Sequence, residues 1–112
     1  MKKVEAIVQT SKLEAIRSLL GRIGVDGMTV SDVRSFGDDE GHLEVYKAEE
    51  HQVFLVPRVR VEIIVEDGRT PALIEELMRV VRTGKLSDGR IFVMPVDDAI
   101  RIRTSERGRE AL

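Results

Sequence analysis

Apolar and polar residues alternate most cleanly between Arg58 and Val65, where Val59, Val61, Ile63 and Val65 are interleaved with Arg58, Arg60, Glu62 and Ile64. Successive side chains of an extended chain point to opposite faces, so this period of two predicts a strand with one apolar face. A shorter β-branched run from Lys3 to Val8 predicts a second strand. Two other segments carry the helical period instead. Leu13, Ile16, Leu19, Leu20 and Ile23 recur at helical spacing, and Gly24 is a natural stop. Ser11 and Glu14 have capping-box spacing for the start of that helix. Leu73, Ile74, Leu77, Met78 and Val81 form the apolar face of another, with Thr70 as its cap, Pro71 at its first position and Gly84 at its end. Met28 to Phe36, with poor alternation, and Arg90 to Val96 read as two more strands, and Asp67-Gly68 marks a turn.

The order is therefore βαβ, a long connection, βαβ, then a short C-terminal strand. Two such units predict an α+β ferredoxin-like sandwich over residues 1–112: one four-stranded antiparallel sheet with both helices on one face. The other face must be covered by something, and Val30, Ile64 and Phe92 are candidates to line it. The connection from Gly37 to Leu55 has no clean period and carries Asp38, Asp39, Glu40, Glu44, Glu49 and Glu50. A loop of that length inside a small domain is often functional or disordered.

Composition narrows the classes. At 112 residues the chain fits one domain, and a domain this small gains from burying more surface by oligomerisation. The formal net charge of −2 gives no global basic field for nucleic acid. The chain has no cysteine, which removes disulfides, thiolate catalysis and thiolate metal sites. No apolar run is long enough for a bilayer, and no apolar stretch follows Lys2-Lys3 as in a leader, so a cytosolic, cytoplasmic domain is expected. His42 and His51 are the only histidines and lack the spacing of a metal pair.

Chemistry concentrates near the end. Thr83-Gly84-Lys85-Leu86-Ser87-Asp88-Gly89-Arg90 is a glycine-punctuated basic loop, and Arg101 and Arg103 follow at an interval that puts both on one face of an extended chain. Exposed amides, Lys85, Arg90 and paired guanidinium forks suit a polyphosphate. A solvated edge strand with ordinary surface arginines has the same residues.

The residues from Thr83 to Ala111 resemble the closing signature of the PII signalling proteins, TGKxGDGKIFVxPVxxAIRIRTGExGxxA. The resemblance continues through Met1-Lys2-Lys3-Val4-Glu5-Ala6-Ile7, Gly24-Val25-Asp26-Gly27-Met28-Thr29-Val30, Gly41-His42-Leu43-Glu44-Val45-Tyr46 and Leu55-Val56-Pro57-Arg58-Val59-Arg60-Val61-Glu62, so it spans essentially the whole chain. It implies a homotrimer that binds ATP or ADP, with AMP a further candidate, in clefts between subunits. By that likeness Ile7, Gly27, Met28, Thr29, Glu62 and Ile64 hold adenine and ribose, and Gly37 begins the loop beside them. Gly89 and Arg90 meet the phosphates, with Arg101 and Arg103 reaching in from the neighbouring subunit. The residue chemistry agrees: Gly89 admits close backbone approach, and Thr29 can donate and accept at the adenine edge.

The chain departs from the family at positions that bear on ligand binding and on modification. A glycine of the phosphate loop is Ser87, whose side chain either crowds a terminal phosphate or offers it a hydroxyl. A lysine is Arg90. The glutamine and lysine that serve 2-oxoglutarate and Mg²⁺ are Asp39 and Arg58. With Asp38 and Glu40 beside it, Asp39 repels a dianion by a few kcal/mol per close contact (at an effective dielectric of about 20), so 2-oxoglutarate binding is expected to be weak or absent. A carboxylate at Asp39 also suits Mg²⁺ directly. Where relatives are uridylylated on tyrosine the chain has His51, and where some are phosphorylated on serine it has Glu49. The resemblance implies a regulatory protein without enzymatic activity, acting through its long loop on a target protein such as a membrane transporter or a metabolic enzyme. A slow nucleotide hydrolase and an anion- or metal-sensing trimer on the same fold are the alternatives. For a hydrolase, Glu62, Asp88 and Asp39 are the candidates to orient water.

Overall fold

The computed structural model describes residues 1–37 and 55–112. The connection from 38 to 54, with the expectations placed on Asp39, Tyr46, Glu49 and both histidines, lies outside the described residues. Four strands form one sheet: β1 (Lys2–Val8), β2 (Thr29–Ser35), β3 (Val56–Val65) and β4 (Arg90–Pro95). Their order is β2-β3-β1-β4, and every neighbouring pair is antiparallel. Helix α1 (Leu13–Ile23) connects β1 to β2, and α2 (Thr70–Val81) connects β3 to β4. Each crossover skips one strand, so the two βαβ units interleave as a ferredoxin-like sandwich.

Register decides what each face of the sheet holds. Val4 stands opposite Ile63 and Val93, Ala6 opposite Val61 and Ile91, and Val8 opposite Val59. These rows meet Ile16, Leu19 and Leu20 of α1 and Leu73, Leu77 and Val81 of α2 in one buried cluster. Each fully buried aliphatic side chain there contributes roughly 1.5–3 kcal/mol. Val30 pairs with Val61, so it lies on this helix-covered side at the β2 edge. That corrects the expectation that it lines the open face. The open face carries the alternate residues, among them Lys3, Glu5, Ile7, Thr29, Arg60, Glu62, Ile64 and Phe92.

Element ends differ from expectation in ways that share a cause. Short 3-10 turns, Thr10–Lys12 and Asp67–Arg69, run directly into both helices. Lys12 and Arg69 therefore precede the first helical residues, and neither helix has a side-chain cap. Instead of closing a capping box, Glu14 accepts from Arg17 Nε at 2.9 Å. Thr70 sits inside the first turn, its hydroxyl donating to the Glu66 carbonyl at 3.2 Å. At the other end of α1, Gly24 takes the left-handed conformation (φ 72°) and its N–H donates to the Leu20 carbonyl. Helix α2 stops at Val81, where Arg82 turns extended (ψ 129°), before Gly84 is reached.

The C-terminal strand is reduced to an isolated antiparallel bridge between Ile100 and Arg107. The chain reverses too soon for a longer ladder. Arg101 N–H donates to the Glu106 carbonyl at 2.9 Å and Ser105 N–H to the Arg101 carbonyl at 2.8 Å, with Ser105 at φ 63°. Ile102 is consequently 98% exposed rather than packed beside Ile100.

Candidate functional site

Helix α2 releases the chain at Val81 and β4 takes it up at Arg90, so residues 82–89 must close over the end of β1. Asp88 closes them. Its Oδ2 accepts the backbone N–H groups of Thr83 at 2.7 Å and Gly84 at 2.8 Å, and its Oδ1 accepts the Thr83 hydroxyl. The Thr83 hydroxyl, followed by the backbone donors, holds the Asp88 carboxyl below its ordinary range, with a smaller contribution from Lys12. Gln9, just past the end of β1, ties the loop down: its amide nitrogen lies 2.8 Å from Ser87 Oγ and 3.4 Å from the Ser87 carbonyl oxygen.

Gly89 is the tightest point. Its φ is 100°, and a Cβ there would stand 2.0 Å from the Ile7 carbonyl oxygen. Only glycine fits, for reasons of both conformation and space. This close approach lets Arg90 pair with Ile7 and start β4.

Apart from Arg101, Arg103 and the undescribed Asp39, the residues expected to bind ligand gather in two open clefts that share no lining residue. The loop cleft, of about 250 Å³, is lined by Ile7, Gly37, Arg58, Ser87, Gly89 and Arg90, together with Phe36 and Phe92. The edge cleft, of about 500 Å³, is lined by Gly27, Met28, Thr29, Glu62 and Ile64, together with Arg69 and Arg109. Thr29 opens edge strand β2, whereas Arg90 opens β4 at the opposite edge. A third, mostly aliphatic cleft of about 360 Å³ lies between α2 and β4 and touches the connecting loop at Arg82, Asp88 and Gly89.

Glu62 is held in a charge network on the open face. It stands directly opposite Glu5, a repulsive cross-strand pair. Two cations offset it: Lys3 Nζ lies 3.3 Å from Glu62 Oε2, and Arg60 Nε lies 3.3 Å from Glu62 Oε1. The Arg60 contact is an ion pair whose angle leaves the buried Nε–H without a hydrogen bond. Half-exposure keeps each of these pairs worth little for stability.

Arg101 and Arg103 lie outside both clefts. Arg101 Nη2 donates to the Leu112 carbonyl at 3.0 Å, and Arg101 Nε lies 3.8 Å from Glu106. Leu112 and Arg109 in turn line the edge cleft, which links this C-terminal turn to Gly27, Met28, Thr29, Glu62 and Ile64. Arg103 is exposed.

Comparison with known proteins decides the family. The family model described as "Nitrogen regulatory protein P-II" matches residues 1–106. The chain belongs to the nitrogen regulatory protein P-II family. Relatives bearing that name are 45% identical in Pasteurella multocida and 41% identical in Rhodospirillum rubrum, each over 112 residues and the full length of both chains. Among solved structures, Arabidopsis thaliana PII bound to citrate is 40% identical and superposes with a TM-score of 0.80, covering 99% of this chain and 91% of that one.

Within this P-II chain, sequence reasoning missed the structural roles of several residues in or beside the clefts. Gln9 reaches a partner 78 positions away, a distance no local pattern spans. Arg69 and Arg109 reach the edge cleft from a 3-10 turn and the C-terminal segment. Asp88 had a readable signal: an aspartate four and five residues after a Gly84 and a Thr83 can cap their amides.

Proposed function

We propose that this P-II chain is a non-enzymatic signalling protein that binds ATP or ADP between subunits of a homotrimer in the cytoplasm. The observation that carries the reading is the split of the expected ligand residues into two clefts with no shared wall. One chain offers Ser87, Gly89 and Arg90 in one place, and Thr29, Glu62 and Ile64 in another. A nucleotide fits both sets when the loop cleft of one copy faces the edge cleft of the next, with Arg101 and Arg103 of that next copy closing on the phosphates. The open face, with Ile7, Ile64 and Phe92 among its charges, is then covered by the other copies.

Signalling follows from where the segment between β2 and β3 begins and ends. Ser35, Phe36 and Gly37 on one side and Arg58 on the other all line the loop cleft. A ligand there bears on both ends of the segment, and differential affinity for its states shifts its engagement with a target protein such as a transporter or metabolic enzyme. Of the three candidates to orient water, Asp39 lies outside the described residues, Glu62 is paired with Lys3 and Arg60, and Asp88 accepts from the donors of its own loop. Their engagement favours a binding role for both described carboxylates over a catalytic one.

Calorimetric titration with ATP, ADP and AMP, with and without Mg²⁺ and then with 2-oxoglutarate, tests the reading. Micromolar ATP or ADP binding, with little or no response to 2-oxoglutarate, is expected. Absence of binding by any of the three nucleotides contradicts it, and turnover well above background would move the chain to the hydrolases.

A further inference from the structure

Ser87 stands where the resemblance expects glycine, and its hydroxyl is not idle. The Gln9 amide group presents one end to both Ser87 Oγ (2.8 Å) and the Ser87 carbonyl oxygen (3.4 Å). A carbonyl only accepts, so the end facing it is the NH₂ end. Ser87 Oγ is therefore the acceptor in its bond with Gln9. Among the described residues no acceptor takes the hydroxyl proton, and it belongs to a side chain that lines the loop cleft beside Gly89 and Arg90. Gln9 is half-buried at the end of β1, anchored by the antiparallel pairing of Val8 with Val59. Its reach fixes the Ser87 side chain relative to the strand that also carries Ile7, the residue against which Gly89 is pressed.

We propose, resting on the nucleotide reading above, that Gln9 poses the Ser87 hydroxyl as a dedicated donor to the outermost phosphate of a nucleoside polyphosphate. The pair makes this chain discriminate by phosphate number. Gly89 and Arg90 supply amide and charge that any phosphate in the loop cleft can use. A neutral hydroxyl held in one orientation adds a short-range, directional contact, which only a chain of phosphates long enough to reach Ser87 obtains. Gln9 touches no ligand and acts through Ser87, so it is a positioning residue. Hydrogen bonds to a charged acceptor are worth enough to separate ligands by roughly tenfold or more.

The test is calorimetric titration of the full-length protein and its S87A, S87T, Q9L and S87A/Q9L variants with ATP, ADP and AMP, thermal melts confirming that each folds. S87A is expected to weaken ATP roughly tenfold or more while AMP changes less than about twofold. S87T, which keeps the hydroxyl, is expected to retain the ATP-to-AMP ratio. Q9L frees the hydroxyl to rotate and is expected to lower that ratio about threefold, with no further effect once Ser87 is alanine. A purely structural brace would shift all three nucleotides together. Equal changes for ATP, ADP and AMP, no change in S87A, or additive effects of Q9L and S87A each overturn the assignment while leaving the nucleotide site intact. Failure of the unaltered protein to bind any nucleotide overturns the site itself, and this assignment with it.

Discussion

The two faces of β3 are built from alternate residues of one strand, yet they answer to different demands. Val59, Val61, Ile63 and Val65 are all at or below 3% exposure, and they join one buried aliphatic cluster with side chains of β1, α1 and α2. Arg58, Arg60, Glu62 and Ile64 point the other way, into a face that mixes charged and apolar groups and onto which both clefts open. The helix-covered face holds the fold by burial that is indifferent to direction. The open face spends its residues on groups whose value depends on what is brought to them. Stability and binding can therefore be damaged separately, one position apart in sequence.

The sharpest way to break the separation is at neighbours on β3. Val61→Asp places an unpaired charge in the core, at a cost comparable to the whole stability of a small domain, so loss of cooperative unfolding in thermal melts is expected. Arg60→Gln, one residue away, is expected to move stability by less than about 1 kcal/mol because its pairs are half-exposed. Equal losses from the two would erase the distinction.

Gly89 is where the two faces are coupled through backbone rather than side chains. Gly89→Ala must relieve a Cβ contact at 2.0 Å with the Ile7 carbonyl, and it adds left-handed strain. We expect a stability loss of at least about 2 kcal/mol in denaturant unfolding, together with loss of ATP binding. Arg103→Ala isolates binding alone. Affinity for ATP should fall roughly ten- to a hundredfold by calorimetry while the melting temperature of the ligand-free protein holds.

The smallest expected effect is the pH response of the loop that Asp88 closes. Asp88 is held below its ordinary range by the Thr83 hydroxyl and by backbone donors. A carboxyl with a depressed folded-state pKa contributes fully above its unfolded value. That contribution is lost as pH falls through the folded one. Protection of the Thr83 and Gly84 amides from hydrogen exchange should hold above about pH 4 and decline below it. Asp88→Asn should remove that acid dependence, and unchanged protection at low pH would remove Asp88 from its role.

Much of this architecture was legible because it rests on period. The alternation in β3 and the apolar stripes of both helices gave the sandwich, and the signature from Thr83 onward gave the family. Local hydrogen bonding was less readable. Ser11 and Thr70 have the residue types of caps, but 3-10 turns ahead of each helix displaced them. The alternation of Ile100, Arg101, Ile102 and Arg103 resembles a strand, but the reversal at Ser105 leaves only one bridge. Val30 was assigned to the wrong face because β2 alternates poorly, and only register against Val61 fixes it. Contacts across 78 residues, such as Gln9 with Ser87, leave no trace in any window of sequence.

The central claim is that each nucleotide site is assembled from the loop cleft of one copy and the edge cleft of another. Subunit mixing tests it most directly. One variant, Gly89→Ala or the milder Arg90→Ala, disables the loop cleft. A second, Thr29→Ala with Glu62→Ala, disables the edge cleft. Neither should bind ATP alone at concentrations that saturate the unaltered protein. Co-assembled from both chains, each mixed trimer contains one interface with two intact halves, so binding of one ATP per mixed trimer is predicted. No recovery on mixing, with assembly verified by mass, would mean that the two clefts do not form a common site between copies.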